Sequence, residues 1–166
     1  MIDFKTLEKI RCKQKELDAF LLKGQDTNSV ELKEKRVLAF IVELCEFLNE
    51  EKSFKYWKKD KTIAREKLVE EYIDGIHFLM SLINEQNLDF NNYKIKDNKH
   101  EKFHIISLSI VENAARYSHT RKIEDLWKFV DLYLSLTSHI DLEEDELFDI
   151  YDKKNKINID RSNNGY

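Results

Sequence analysis

No proline occurs in the 166 residues, and glycine appears only at Gly24, Gly75 and Gly165. A chain so short of helix breakers, with 36% charged and 42% hydrophobic residues, reads as helical. Cysteine is almost missing as well. Cys12 and Cys45 form neither a CxxC nor a disulfide framework, so both read as reduced, with Cys45 in the core. There is no excess of basic charge: the formal net charge of -4 argues against nonspecific duplex binding, and no nucleic acid is expected as a partner. Nor does any apolar run approach the roughly 20 residues that span a bilayer. The N-terminus, MIDFKTLEKIR, is charged from its third residue. The expectation is a soluble cytoplasmic protein with no membrane partner.

What the chain does contain is helical periodicity. Its length suits one domain over residues 1–166 with a sizeable core. Amphipathic spacing predicts helices over about 3–22, ended by Gly24, then 29–51 and 62–84, the last two forming a hairpin. A loop rich in Asn, Asp and Lys covers 85–100. Further helices follow over about 101–118, 121–137 and 141–155, the last opened by the acidic DLEEDE. No segment alternates at period two. The fold class is therefore all-α, a helical bundle of about six helices.

Residues 37 to 48, VLAFIVELCEFL, raise the functional question, because ten of the twelve are apolar and the other two are Glu43 and Glu46. Spaced three apart, the two glutamates share a helix face, which Glu50 extends. The next helix repeats the pattern: in LVEEYIDGIHFLMSLI the polar Glu70, Glu71, Asp74, His77 and Ser81 gather on one side. If the two helices pack antiparallel, their acidic faces meet in the core. Four converging carboxylates without a counterion would repel and largely protonate. A hard divalent cation such as Mg²⁺ resolves this, since it takes oxygen ligands and keeps sites for water and phosphates. The bland alternative pairs each acid with Lys or Arg across the bundle, as in a non-catalytic helical interaction protein. A di-iron bundle is a weaker rival: Glu101 and His104 make one Glu-x-x-His, whereas 43–46 is Glu-x-x-Glu. Spacing does not choose between Glu70 and Glu71.

Five motifs then fall in order along the chain: QKELD (14–18), ELCE (43–46), FKYW (54–57), EYIDGIHF (71–78) and KNKINIDRSNNGY (154–166). Together they resemble the dimeric all-α dUTPases, relatives of the MazG-type nucleotide pyrophosphatases. The resemblance implies Mg²⁺-dependent hydrolysis of dUTP to dUMP and pyrophosphate in a homodimer, with dUDP a further candidate substrate that would yield dUMP and phosphate. It implies metal ligands Glu43, Glu46, Glu71 and Asp74, two or more ions, and Glu46 as the base that takes the proton of the attacking water. A related pyrophosphatase acting on dCTP or a broader set is the alternative.

The resemblance also implies the substrate contacts. Gln14 and Asp18 would face the base, and Asp18 stands where some members have Asn, which can donate as well as accept. Lys55 offers a cation to phosphate and Trp57 a flat apolar face to the base, although Trp57 could equally be core. His77 and Phe78 would line the sugar pocket. Lys154, Asn158 and Arg161, spaced i, i+4 and i+7, make a phosphate clamp if the last helix continues, with Tyr166 closing the motif. Read on composition alone, residues 155–166 are a polar, frayed tail; by resemblance they close over substrate.

Overall fold

The structure, a computed structural model, describes residues 2–91, 93 and 101–164, so His100 and Tyr166 lie outside the described residues. Among these, six α-helices and no strand occur: α1 (Phe4–Leu21), α2 (Val30–Glu51), α3 (Arg65–Glu85), α4 (Phe103–Thr120), α5 (Ile123–Ser135) and α6 (Glu144–Asn163), with a 3₁₀ turn at Leu136–Ser138. The expected all-α bundle is the one found. Local chemistry sets the ends. Ser29 caps α2, its Oγ accepting from the Leu32 amide at 3.3 Å, and Gly24 takes φ +85 in the turn after α1. Three acids, Glu144, Asp145 and Glu146, open α6 where the helix dipole favours them.

Helices α2 and α3 make the most extensive pairing, and they run antiparallel. Lys67 at the start of α3 reaches Glu50 at the end of α2 (2.9 Å), while Arg36 near the start of α2 reaches Glu85 at the end of α3 (3.2 Å). Helix α3 is the central element. It buries Leu68, Val69, Tyr72, Ile73, Ile76, Leu79, Met80, Leu82 and Ile83, and it packs on α1, α2 and α6. That nearly continuous apolar surface suits a helix enclosed on most sides. Phe90 is also buried, so the polar connection after α3 contributes to the core.

Two expectations need correction. Cys45 is exposed, not core. Helix α2 is apolar around most of its circumference, but its buried stripe is Val37, Phe40, Leu44 and Phe47, with Ile41 and Leu48 packed part-buried beside it; Leu38 and Val42 are left 61% and 45% exposed beside Cys45. The last helix also continues well past residue 155. Asp152 bonds Lys13 (2.7 Å) and Lys156 (2.6 Å), Tyr151 and Asn155 are buried, and no glycine interrupts before Gly165, so the polar segment has reasons to stay helical.

Candidate functional site

The hairpin of α2 and α3 brings Glu43, Glu46 and Glu71 together, with one carboxylate oxygen from each lying within 4.8 Å of the others. They stand at the rim of the bundle and not in its core: Glu43 and Glu71 are half-buried and Glu46 is exposed. The apolar stripe of α2 turns inward at Leu44 and Phe47, which leaves the glutamates on its flank. Glu71, and not Glu70, joins this cluster.

The charge imbalance is evident in the titration. Burial and the neighbouring Asp74, Glu46 and Glu71 push the Glu43 carboxyl up to about 7. Glu71 is raised as well, by burial and then by Glu46 and Asp74. Asp74 is raised mainly by burial, against the pull of Lys154, with which it forms an ion pair. Lys154 Nζ also reaches the Glu70 carbonyl at 3.4 Å. The all-salt-bridge reading thus holds for Asp74 with Lys154 and Glu50 with Lys67, but among the described residues no lysine or arginine forms a salt bridge with Glu43, Glu46 or Glu71. A donor set of carboxylate oxygens whose mutual repulsion Lys154 and Lys67 only partly offset fits a hard divalent cation.

One turn further along α3 lies a buried polar crevice between α1, α3 and α6. Gln14 is 3% exposed, contrary to the usual fate of a glutamine on a first helix. Its Oε1 accepts from Tyr151 Oη and from His77 Nδ1, both at 2.8 Å, and its Nε2 donates to Asp18 Oδ1 at 2.8 Å. Ser81 Oγ donates to the same Asp18 oxygen at 3.0 Å. Because an amide oxygen only accepts, His77 must carry its proton on Nδ1. Burial holds that imidazole neutral, with its pKa lowered to about 3, and its buried Nε2 has no hydrogen-bond partner. Burial also raises Asp18.

The remaining predicted residues are less concentrated. Lys55 is buried, and its Nζ bonds Asn49 through the carbonyl (2.8 Å) and the side chain (2.5 Å), holding the turn after α2. Trp57 is 60% exposed, so it is not core; its ring meets Phe54 and Tyr56 edge-on. Phe78 is half-buried against the core. Asn158 is half-buried and Arg161 exposed on α6 beyond Lys154. His104 lines a groove between α2 and α4 with Cys45, away from any acidic cluster, so the di-iron pattern is not assembled among the described residues. Sequence reasoning missed Tyr151 and Asn155, and gave Ser81 no role in the crevice. Asn155 was within reach, since it follows Lys154 in the motif KNKIN.

Fold and site define a helical protein that gathers hard oxygen ligands at one rim, next to a crevice with matched polar groups. The chain belongs to the all-α dUTPase family, whose model, described as dUTPase, matches residues 6–166. It is a dUTP-hydrolysing enzyme of nucleotide metabolism, and the family is generally dependent on divalent metal. A comparison with curated proteins gave no match. No helix among the described residues is long and apolar enough to cross a membrane.

Proposed function

We propose that the protein hydrolyses dUTP to dUMP and pyrophosphate with Mg²⁺ held by Glu43, Glu46 and Glu71. Asp74 joins them when Lys154 turns from it to the triphosphate. The observation that carries this reading is the convergence of three carboxylates with which no lysine or arginine among the described residues forms a salt bridge. Bound Mg²⁺ supplies positive charge to the triphosphate oxygens and acidifies water. Glu46, the most exposed of the three, takes the proton from the attacking water. Lys154, Asn158 and Arg161 share one stripe of α6 and clamp phosphate oxygens, with the end of that helix closing the site within a single domain.

The crevice reads the nucleoside. Gln14 has one N–H left after bonding Asp18, and Asp18 has Oδ2 left after Oδ1 accepts from Gln14 and Ser81. One donor beside one acceptor matches a carbonyl and the N3–H of uracil, whereas cytosine turns an acceptor nitrogen toward the carboxylate. The orphan Nε2 of His77 suits a sugar hydroxyl, Phe78 offers a wall that leaves a ribose 2′-hydroxyl unpartnered, and Trp57 gives a flat face for the base. Lys55 acts through the turn that carries Trp57. Pyrophosphate release from dUTP, dCTP, dTTP and UTP, with and without Mg²⁺, tests the assignment. Full activity in excess chelator refutes the metal, and equal kcat/KM for dUTP and dCTP refutes the base reading.

A homodimer belongs to the same proposal. Leu38, Val42, Ile105 and Leu108 leave an apolar face on α2 and α4, with Leu108 68% exposed, and a second copy is the occupant that the family resemblance supplies. Leu108→Glu is expected to halve the mass in solution; a wild type that is already monomeric and active refutes it.

A further inference from the structure

Tyr72 on α3 and Tyr133 on α5 exchange hydrogen bonds to each other's backbone. Tyr72 Oη donates to the Tyr133 carbonyl at 3.1 Å, Tyr133 Oη donates to the Tyr72 carbonyl at 2.8 Å, and the rings stack with centroids 4.8 Å apart at 4°. Both side chains are fully buried. The two bonds are not equivalent in what they hold. Tyr72 is the residue after Glu71 and two before Asp74, so the Tyr133 hydroxyl grips the turn of α3 that presents those carboxylates.

In a regular helix the Tyr72 carbonyl already accepts from the amide of Ile76. Tyr133 therefore supplies a second donor to a satisfied oxygen and rescues no orphan group. Gly75 makes the approach possible: a Cβ there would lie 2.0 Å from Tyr133 Oη and 2.7 Å from its Cζ. Glycine in a helix interior is disfavoured against alanine. Here it is required for space. The pair also reaches α2, since Phe40 packs edge-on against Tyr133 (5.1 Å) and Phe47 edge-on against Tyr72 (5.5 Å). Phe40 lies one turn before Glu43, and Phe47 follows Glu46. One stack thus touches the backbone or packing of every helix turn that carries a cluster carboxylate.

We propose that Tyr133, through its bond to the Tyr72 carbonyl in the space left by Gly75, is a positioning residue that sets how Glu71 and Asp74 face Glu43 and Glu46. It rests on the proposed function only in taking those carboxylates to hold a divalent cation. A phenylalanine would fill the same volume, so the hydroxyl is separable from the core packing.

Mn²⁺ titrated into the nucleotide-free protein tests this, with Tyr133→Phe and Tyr72→Phe compared. Tyr133→Phe is expected to bind Mn²⁺ about tenfold more weakly, as for other groups that orient metal ligands. Its Tm in chelator should stay near that of wild type, and amide exchange at Ile76 should accelerate. Tyr72→Phe, whose lost hydroxyl acts on α5, should keep wild-type affinity. Gly75→Ala is expected to weaken Mn²⁺ binding too, with less than the product of the single effects when combined with Tyr133→Phe. Wild-type affinity in Tyr133→Phe, or an equal loss in both phenylalanine variants, overturns the positioning role and leaves the proposed function standing. A wild type that binds no Mn²⁺ overturns both.

Discussion

Neutralising Glu43 is expected to stabilise the metal-free protein, and to do so only above mildly acidic pH. The folded protein holds this carboxyl at about 7 against an ordinary value of 4.5, through burial and the charges of Asp74, Glu46 and Glu71. A carboxylate with a raised folded pKa binds its proton more tightly folded than unfolded, so stability is intact below about 4.5 and is lost as pH rises toward 7. At about 1.4 kcal/mol per pKa unit the full effect would be roughly 3 kcal/mol. Solvent screening at this half-buried position reduces it to about 1–2 kcal/mol. Glu43→Gln removes the ionisation and keeps nearly the same shape. In chelator at pH 8 the variant should therefore be more stable than wild type by about 1–2 kcal/mol, and at pH 4 the two should coincide. Urea denaturation at both pH values measures the difference. Adding Mg²⁺ should reverse the order, because the cation stabilises only the protein that binds it. A loss of stability in Glu43→Gln at pH 8 without metal would mean that Glu43 is paired with a cation, and would refute the repulsion on which the metal reading stands.

Glu46→Gln should abolish dUTP turnover while leaving Tm in chelator equal or higher; appreciable residual kcat would remove it from the role of base. Selectivity for dUTP over dCTP should narrow as pH falls, because burial raises Asp18 and its protonated form gains the donor that cytosine N3 accepts. A selectivity ratio constant between pH 8 and pH 5 would take Asp18 out of base recognition. Arg161→Ala should raise KM for dUTP about tenfold with Tm unchanged, the size expected of one charge-assisted contact; an unaltered KM would return the end of α6 to a structural role.

The fold was readable because the breakers are so few that helical periodicity runs almost uninterrupted, and the acidic pairs were readable from their spacing on two consecutive helices, although the apolar run that suggested burial leaves them on an open flank of α2. What escaped depends on which neighbour a face meets. Cys45 and Leu44 are adjacent in an equally apolar stretch, yet only Leu44 turns to the bundle, and nothing within α2 distinguishes them. The end of α6 looked frayed on composition, since its docking runs through two buried residues, Tyr151 and Asn155, and through an ion pair from Lys13 on α1.

The crevice carries the same lesson to the level of chemistry. Gln14 alone has an amide with donors and acceptors on offer, and any of them could face a base. Once Tyr151 and His77 occupy its oxygen and Asp18 takes one N–H, only one donor remains, and in the proposed reading the acceptor that completes a uracil edge comes from Asp18. Three residues from three helices thus narrow what one side chain can still donate or accept. The same holds for Gly75, which in sequence is only a weak point in a helix. Its use depends on Tyr133, a residue 58 positions away, and on the 2.0 Å that a Cβ would leave between them. In the proposed reading motif positions mark the residues that meet the ligand, while the partners that fix their protonation and orientation are set by helix packing.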